Sequence, residues 1–188
     1  MTNPLIDARR KAESDSRDPQ ERNRLWWERL PMTYVDWSAE DRALRTDWDF
    51  ETTRRKVLSN GPFLRETFDY SRFADKEVLD VGCGAGVMSG LFADAGARVT
   101  SIDLTQAAVV TTKHSGERWG FPFRVGRMDA EALALKDDSF DFAFSWGVLH
   151  HTRDTEKAFA EVARVLKPGG AGLIMVYHKT RLIYYLLG

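Results

Sequence analysis

Val78-Leu79-Asp80-Val81-Gly82-Cys83-Gly84-Ala85-Gly86 is the stretch that decides how this chain is read. An apolar run ends in glycines at alternate positions. A helical pattern follows to Ala95, with Val87, Leu91 and the Ala93/Ala95 region on its apolar side. Glycines in such a turn let the backbone approach a ligand closely and take dihedrals that a Cβ obstructs. Asp103, 21 residues beyond Gly82, ends the next apolar run, where a carboxylate accepts hydrogen bonds from a ribose diol. A dinucleotide turn asks for G-x-G-x-x-G/A, and the last of those places here holds Val87. Asp80 repels phosphates as well, and suits a ligand with an amino group better.

Strand and helix patterns alternate outward from this turn. Glu77–Val81 predicts a strand, Arg98–Ile102 a second, Phe123–Gly126 a third and Phe140–Ser145 a fourth. The fourth has aromatic residues on both faces, as a strand buried between helical layers does. Gln106 to about Trp119 reads as a helix. Thr155–Leu166 repeats apolar residues at Ala158, Phe159, Val162, Val165 and Leu166 with helical period. Pro168-Gly169-Gly170 is expected to stop that helix, and Gly172–Tyr177 to form a fifth strand. Such alternation implies an α/β fold with a parallel sheet and helices on both faces.

The chain has 188 residues, 27 Lys+Arg against 28 Asp+Glu, and 43% hydrophobic residues, as one ordinary globular domain, alone or with an appended segment, would. Balanced charge provides no general attraction for nucleic acid; Asp36, Glu40, Asp41 and Arg42 read as a solvated face, and the short basic run Arg54-Arg55-Lys56 is where a local nucleic-acid patch would lie. Cys83 is the single cysteine, so an internal disulfide and a cysteine-based zinc cluster are excluded, and no clustered carboxylates and histidines call for a metal. No apolar run approaches the roughly 18 residues of a membrane span. Residues 1–24 lack the apolar stretch of a secretory signal, which makes a cytoplasmic protein the expectation.

Three zones follow from composition. Residues 1–24 form a charged leader, read as a frayed helix or a disordered arm. Residues 25–74 form an aromatic-rich helical zone holding Trp26, Trp27, Trp37 and Trp48, four of the six tryptophans. That much aromatic surface must pack on something, either as a platform on the sheet or as a lid with Tyr34 and Trp37 near the ligand. Residues 75–188 form the core.

The blocks Leu79-Asp80-Val81-Gly82-Cys83-Gly84-Ala85-Gly86, Asp103, Met128-Asp129-Ala130, Ser139-Phe140-Asp141, Val148-Leu149-His150-His151 and Val165-Leu166-Lys167-Pro168-Gly169-Gly170 stand in order over half the chain. In these blocks the chain resembles the class I S-adenosylmethionine-dependent methyltransferases, in particular the quinone-biosynthesis and other small-molecule group. The resemblance implies a Rossmann-like, doubly wound, mostly parallel sheet and S-adenosyl-L-methionine as cofactor, leaving S-adenosyl-L-homocysteine as product. It implies that Gly82 and Gly84 approach the methionine part, with Asp80 near its amino group. Asp103 takes the ribose hydroxyls, Leu104 packs on the adenine, and Asp129 hydrogen-bonds the adenine amino group, with the Ala130 backbone beside it. Ser145 and Trp146 lie beside the donor methyl.

Methyl transfer from a sulfonium is an in-line displacement that needs alignment and exclusion of water, and a base where the acceptor arrives protonated. His150 is the candidate general base, with His151 beside it facing the acceptor or capping the next helix. Ser145-Trp146-Gly147-Val148 replaces the proline-rich turn of methylases acting on the amino groups of DNA bases. A small aromatic or apolar acceptor is therefore expected, with no nucleic-acid partner. The alternative is a non-catalytic cofactor-binding subunit or fragment of the same fold. Relative to the family, the last two strands of the sheet are missing. The apolar tail Leu182-Ile183-Tyr184-Tyr185-Leu186-Leu187 then suggests a piece of a longer chain, a homo-oligomer contact or a minimal variant.

Overall fold

The computed structural model describes residues 11, 14–29, 49–60 and 68–177. Five strands form one sheet: β1 (Glu77–Val81), β2 (Arg98–Asp103), β3 (Arg124–Arg127), β4 (Phe140–Trp146) and β5 (Leu166–Met175). All neighbours run parallel, in the order β3-β2-β1-β4-β5. The helices are α1 (Pro19–Arg29), α2 (Phe50–Asn60), α3 (Val87–Asp94), α4 (Gln106–Trp119) and α5 (Thr155–Val165), with 3-10 turns at Tyr70–Phe73 and Leu149–His151.

The sheet is apolar on both sides because side chains alternate along each strand. Leu79 and Val81 of β1 join Ile102, Phe140, Ala143, Leu149, Ala158, Val162 and Val165 in one core layer beneath α5. Val78 faces the other way, into a layer with Val87, Leu91, Phe92, Val99, Phe142 and Phe144 under α3. α2 closes that second layer with Val57, and Phe50 meets the rings of Trp119 and Phe121. Aromatic residues of the 25–74 zone therefore do pack on the sheet's helical layer.

α4 and α5 have local reasons to begin where they do. The Thr105 hydroxyl accepts the Ala108 N–H at the start of α4, and Asp154 accepts the Lys157 N–H at the start of α5. Gly120, at φ 77°, ends α4.

β5 departs from the sequence expectation. It starts at Leu166, directly after α5, and runs through Pro168-Gly169-Gly170 instead of beginning at Gly172. Leu166 pairs with Phe140 and Ala171 with Phe142, so the intervening residues bulge opposite Asp141. The bulge removes the demand for a ladder N–H that proline cannot supply. Gly170 is required there, since a Cβ would lie 2.9 Å from the Lys167 carbonyl oxygen and 3.2 Å from that of Phe140. β3 likewise starts one residue later than expected, and β2 and β4 each extend one residue further.

α1 crosses the compositional boundary at residue 24, and it is docked. Glu28 accepts the N–H groups of Gln106 and Ala107 at 3.1 and 2.9 Å, which places a carboxylate on the positive N-terminus of α4. The lid residues Tyr34 and Trp37 and the apolar tail lie outside the described residues. No helix among the described residues is long and apolar enough to cross a membrane.

Candidate functional site

The strand order reverses between β1 and β4. β1 leads outward to β2 on one side and meets β4 on the other, which opens a crevice at the strands' C-terminal ends. The glycine turn and the loop after β4 line that crevice. Gly82, Gly84 and Gly86 all have positive φ, at 79°, 55° and 78°. The turn is fastened to β2, because the N–H groups of Gly82 and Cys83 both donate to the Ile102 carbonyl. Gly82 serves packing as well as conformation: a Cβ there would lie 2.3 Å from Val148 Cγ2. The absent side chain is what lets the loop after β4 close on the turn.

Asp103 ends β2 beneath this turn. One carboxylate oxygen accepts the N–H and hydroxyl of Thr105, both at 2.9 Å, and the other accepts the Gly84 N–H at 3.2 Å. Burial raises the Asp103 carboxyl above its ordinary range, with the Thr105 and Gly84 bonds opposing the rise. Leu104 is half-buried beside it.

Asp80 precedes the glycine turn near the end of β1. Its side chain lies on the α3 face of β1, 2% exposed, and accepts the Ser89 hydroxyl at 2.6 Å; that hydroxyl in turn contacts Ser101 Oγ at 2.7 Å. The carboxylate thus sits under the turn, within the chain's own hydrogen bonds. Burial pushes it up to about 6, the Ser89 bond pulls it down, and the charge of Asp103 adds to the rise. A carboxyl that titrates higher folded than unfolded costs stability as pH climbs from 3.8 through 6. Asp80→Asn is therefore expected to stabilise the fold by up to about 3 kcal/mol at pH 8 and by almost nothing at pH 4. Urea melts at the two pH values check this, and equal shifts at both would refute it.

Asp129 starts a tight turn after β3. Its Oδ1 accepts the Glu131 N–H at 2.9 Å, and its Oδ2 accepts Nε2 of Gln20, on α1, at 2.9 Å. The Ala130 side chain is buried in the α5 layer, which leaves its backbone to line the turn. Ser145 is 1% exposed and donates to the Val81 carbonyl at 3.0 Å, so its hydroxyl ties β4 to β1 rather than opening into the crevice. Trp146 stacks on Phe144, with centroids 6.2 Å apart and planes 5° from parallel.

His150 and His151 sit on the 3-10 turn after β4, with ring centroids 4.0 Å apart. His150 also faces Tyr177 at 4.5 Å, and His151 meets Trp27 of α1 edge-on at 5.0 Å. Both ring nitrogens of His150 are enclosed and have no hydrogen-bond partner among the described residues. Burial lowers both imidazoles below 6.5, His151 to about 4 with the charge of His150 adding to the fall.

Several site residues escaped the sequence reading. Gln20 and Glu28 reach the site from a helix far away in the chain. Glu131, 2% exposed, accepts the Asp154 N–H at 3.0 Å and pairs with Arg153 at 3.3 Å, linking the Asp129 turn to the loop after His151. Thr105 was legible: an Asp with a Thr two residues later, just before a helix, is a capping pattern.

The methyltransferase domain family matches residues 79–174, half of the chain. The chain is 32% identical over 163 residues to a ubiquinone biosynthesis O-methyltransferase of Ralstonia nicotianae, covering 86% of this chain and 60% of that protein. To the enzyme of the same name from Hahella chejuensis it is 36% identical over 146 residues, covering 74% and 60%. It thus spans about three fifths of the length of these relatives. Among solved structures it resembles an S-adenosylmethionine-dependent methyltransferase of Mesorhizobium loti (TM-score 0.55, 30% identity, 62% of this chain and 53% of that one). A Pyrococcus horikoshii protein shares the fold at 24% identity, with TM-score 0.56 over 76% of this chain and 64% of that one. With the parallel sheet, the glycine turn and the two carboxylates that flank it, these matches establish that the chain belongs to the methyltransferase domain family, within the class I S-adenosylmethionine-dependent methyltransferases.

Proposed function

We propose that this chain binds S-adenosyl-L-methionine in the β1/β4 crevice and transfers its methyl group to a hydroxyl of a small aromatic acceptor in the cytoplasm. The observation that carries this reading is the Asp103 carboxylate bonded to Gly84 across the glycine turn, at the place where a ribose diol would meet it. The chain's residues fit the cofactor. Asp80 and Asp103 give the crevice a negative field that favours a cationic ligand over a phosphate. Gln20 Oε1 is an enclosed acceptor that awaits a donor. When bound, the cofactor supplies a methyl group on a positively charged sulfur.

Each residue's task follows from its place. Asp103 holds the ribose hydroxyls, Asp129 accepts from the adenine amino group with the Ala130 backbone beside it, and Leu104 packs against the base. Asp80 acts through space from beneath the turn. Trp146 and the His151–Trp27 pair wall the acceptor side and keep water out. His150 removes the proton from the acceptor hydroxyl. Its place on the turn after β4 and two ring nitrogens without a partner among the described residues support that role. O-methylation is favoured because the relatives are named as ubiquinone biosynthesis O-methyltransferases.

Incubating the chain with S-adenosylmethionine and a panel of phenols and catechols should form S-adenosylhomocysteine with at least one of them. Saturable cofactor binding without turnover on any of the panel would replace the enzyme reading with that of a binding subunit. With an active acceptor, the acid limb of kcat/KM should fall at an apparent pKa below 6.5. His150→Gln should remove that limb and cost about a hundredfold or more in kcat. An unchanged pH profile would return His150 to a structural role.

A further inference from the structure

Gln20 meets Asp129 across 109 positions of sequence. Its carboxamide can be oriented in only one way: the carboxylate accepts and cannot donate, so the nitrogen must face Asp129. The carbonyl Oε1 is thereby turned away. It is buried and has no hydrogen-bond partner among the described residues. An enclosed, unpaired carbonyl oxygen beside a paired carboxylate is costly unless a donor arrives. On the cofactor reading above, the group that approaches Asp129 is the exocyclic amino group of adenine, which carries two N–H bonds. Asp129 Oδ2 has a second lone pair for one of them, and the other has no acceptor assigned.

We infer that Gln20 completes the adenine site: its Oε1 accepts the second N–H of the adenine amino group, while its Nε2 holds the Asp129 carboxylate in place for the first. Gln20 is thus a specificity-determining residue contributed by α1. The helix is fixed for the task. Glu28 anchors its last turn on the N-terminus of α4, Arg24 pairs with Glu21 and Glu28, and Trp27 packs against His151. A 6-oxo base presents a carbonyl oxygen in place of the amino group. It would face both the Asp129 carboxylate and Gln20 Oε1, two acceptors with no proton between them and the base, so the pair rejects hypoxanthine as well as binding adenine.

The test is calorimetric titration of the 188-residue chain with S-adenosylhomocysteine and with S-inosylhomocysteine. The wild-type chain should bind the adenine ligand and discriminate strongly against the 6-oxo ligand. Gln20→Ala should weaken the adenine ligand about tenfold and narrow the discrimination. Gln20→Glu, which leaves α1 the same length, should weaken it further, because two carboxylates would then face each other. Equal losses for both ligands in Gln20→Ala would overturn the inference and assign Gln20 to the stability of α1. Unchanged or tighter adenine binding would overturn it too, by making Gln20 a stand-in that the base displaces. No binding of S-adenosylhomocysteine by a folded wild-type chain would overturn the cofactor reading itself. That result is separate from the other two, which both require wild-type binding.

Discussion

Asp103→Ala is expected to weaken S-adenosylhomocysteine binding at least about a hundredfold while leaving a folded chain. On the proposed function the carboxylate has two duties. Toward the ligand it would offer charged acceptors to two ribose hydroxyls, and hydrogen bonds to a charged group are worth about 1.5–3 kcal/mol each. Toward the chain it pins the Gly84 N–H and the Thr105 N–H and hydroxyl, which sets the shape of the turn before any ligand arrives. Alanine loses both. The fold survives because burial already raises this carboxyl, so removing it relieves a desolvation cost that offsets part of the lost bonding. Asp103→Asn separates the two duties. It retains an oxygen for Thr105 but loses the charge, and its affinity should fall between wild type and alanine. Calorimetric titration alongside circular dichroism checks both variants. Affinity within threefold of wild type in a folded Asp103→Ala chain would move the ribose away from β2.

Gly82→Ala is expected to cost about 2–5 kcal/mol of stability, at its upper end enough to unfold a marginal domain. Two terms add. The left-handed conformation at φ 79° costs a non-glycine residue about 1–2 kcal/mol. The new methyl group lies within 2.3 Å of Val148 Cγ2, an overlap that forces the loop after β4 outward, and overpacking of that kind costs about 1–3 kcal/mol. The terms can be separated, because only the second depends on Val148. In the Gly82→Ala/Val148→Ala double variant the overlap with the Val148 methyl groups disappears while the backbone strain remains, so part of the loss should return. Denaturant melts of the two single variants and the double measure the coupling. Additive losses would mean that the turn and the loop do not touch. Since His150 and His151 lie two and three residues after Val148, Gly82→Ala should also displace the imidazoles.

The order of strands and helices was legible because its signals are local. β1, the glycine turn and α3 follow from apolar periodicity and the spacing of Gly82, Gly84 and Gly86 within one short stretch. The N-caps of α4 and α5 lie within three residues of the N–H groups they accept. β5 was misjudged because Pro168-Gly169-Gly170 has the composition of a stop signal. Only the pairing of Leu166 with Phe140 on one side and Ala171 with Phe142 on the other turns it into a bulge within a strand.

The site divides in the same way. Asp80, Asp103 and Asp129 could be named from their places after strands or at a strand end, but what each carboxylate does depends on partners distant in sequence. Asp80 points to the α3 face and is held by Ser89, beneath the turn. Ser145 donates to a carbonyl 64 positions away. The sequence by itself determined a parallel α/β sheet, its glycine turn and the family to which both belong, since periodicity and turn chemistry act over a few residues. Only the tertiary structure decided that Gly82 makes room for Val148, that Glu28 caps α4 and that Gln20 reaches Asp129. Those contacts arise when a helix is laid across the end of a sheet, and nothing in the local spacing of either partner encodes them.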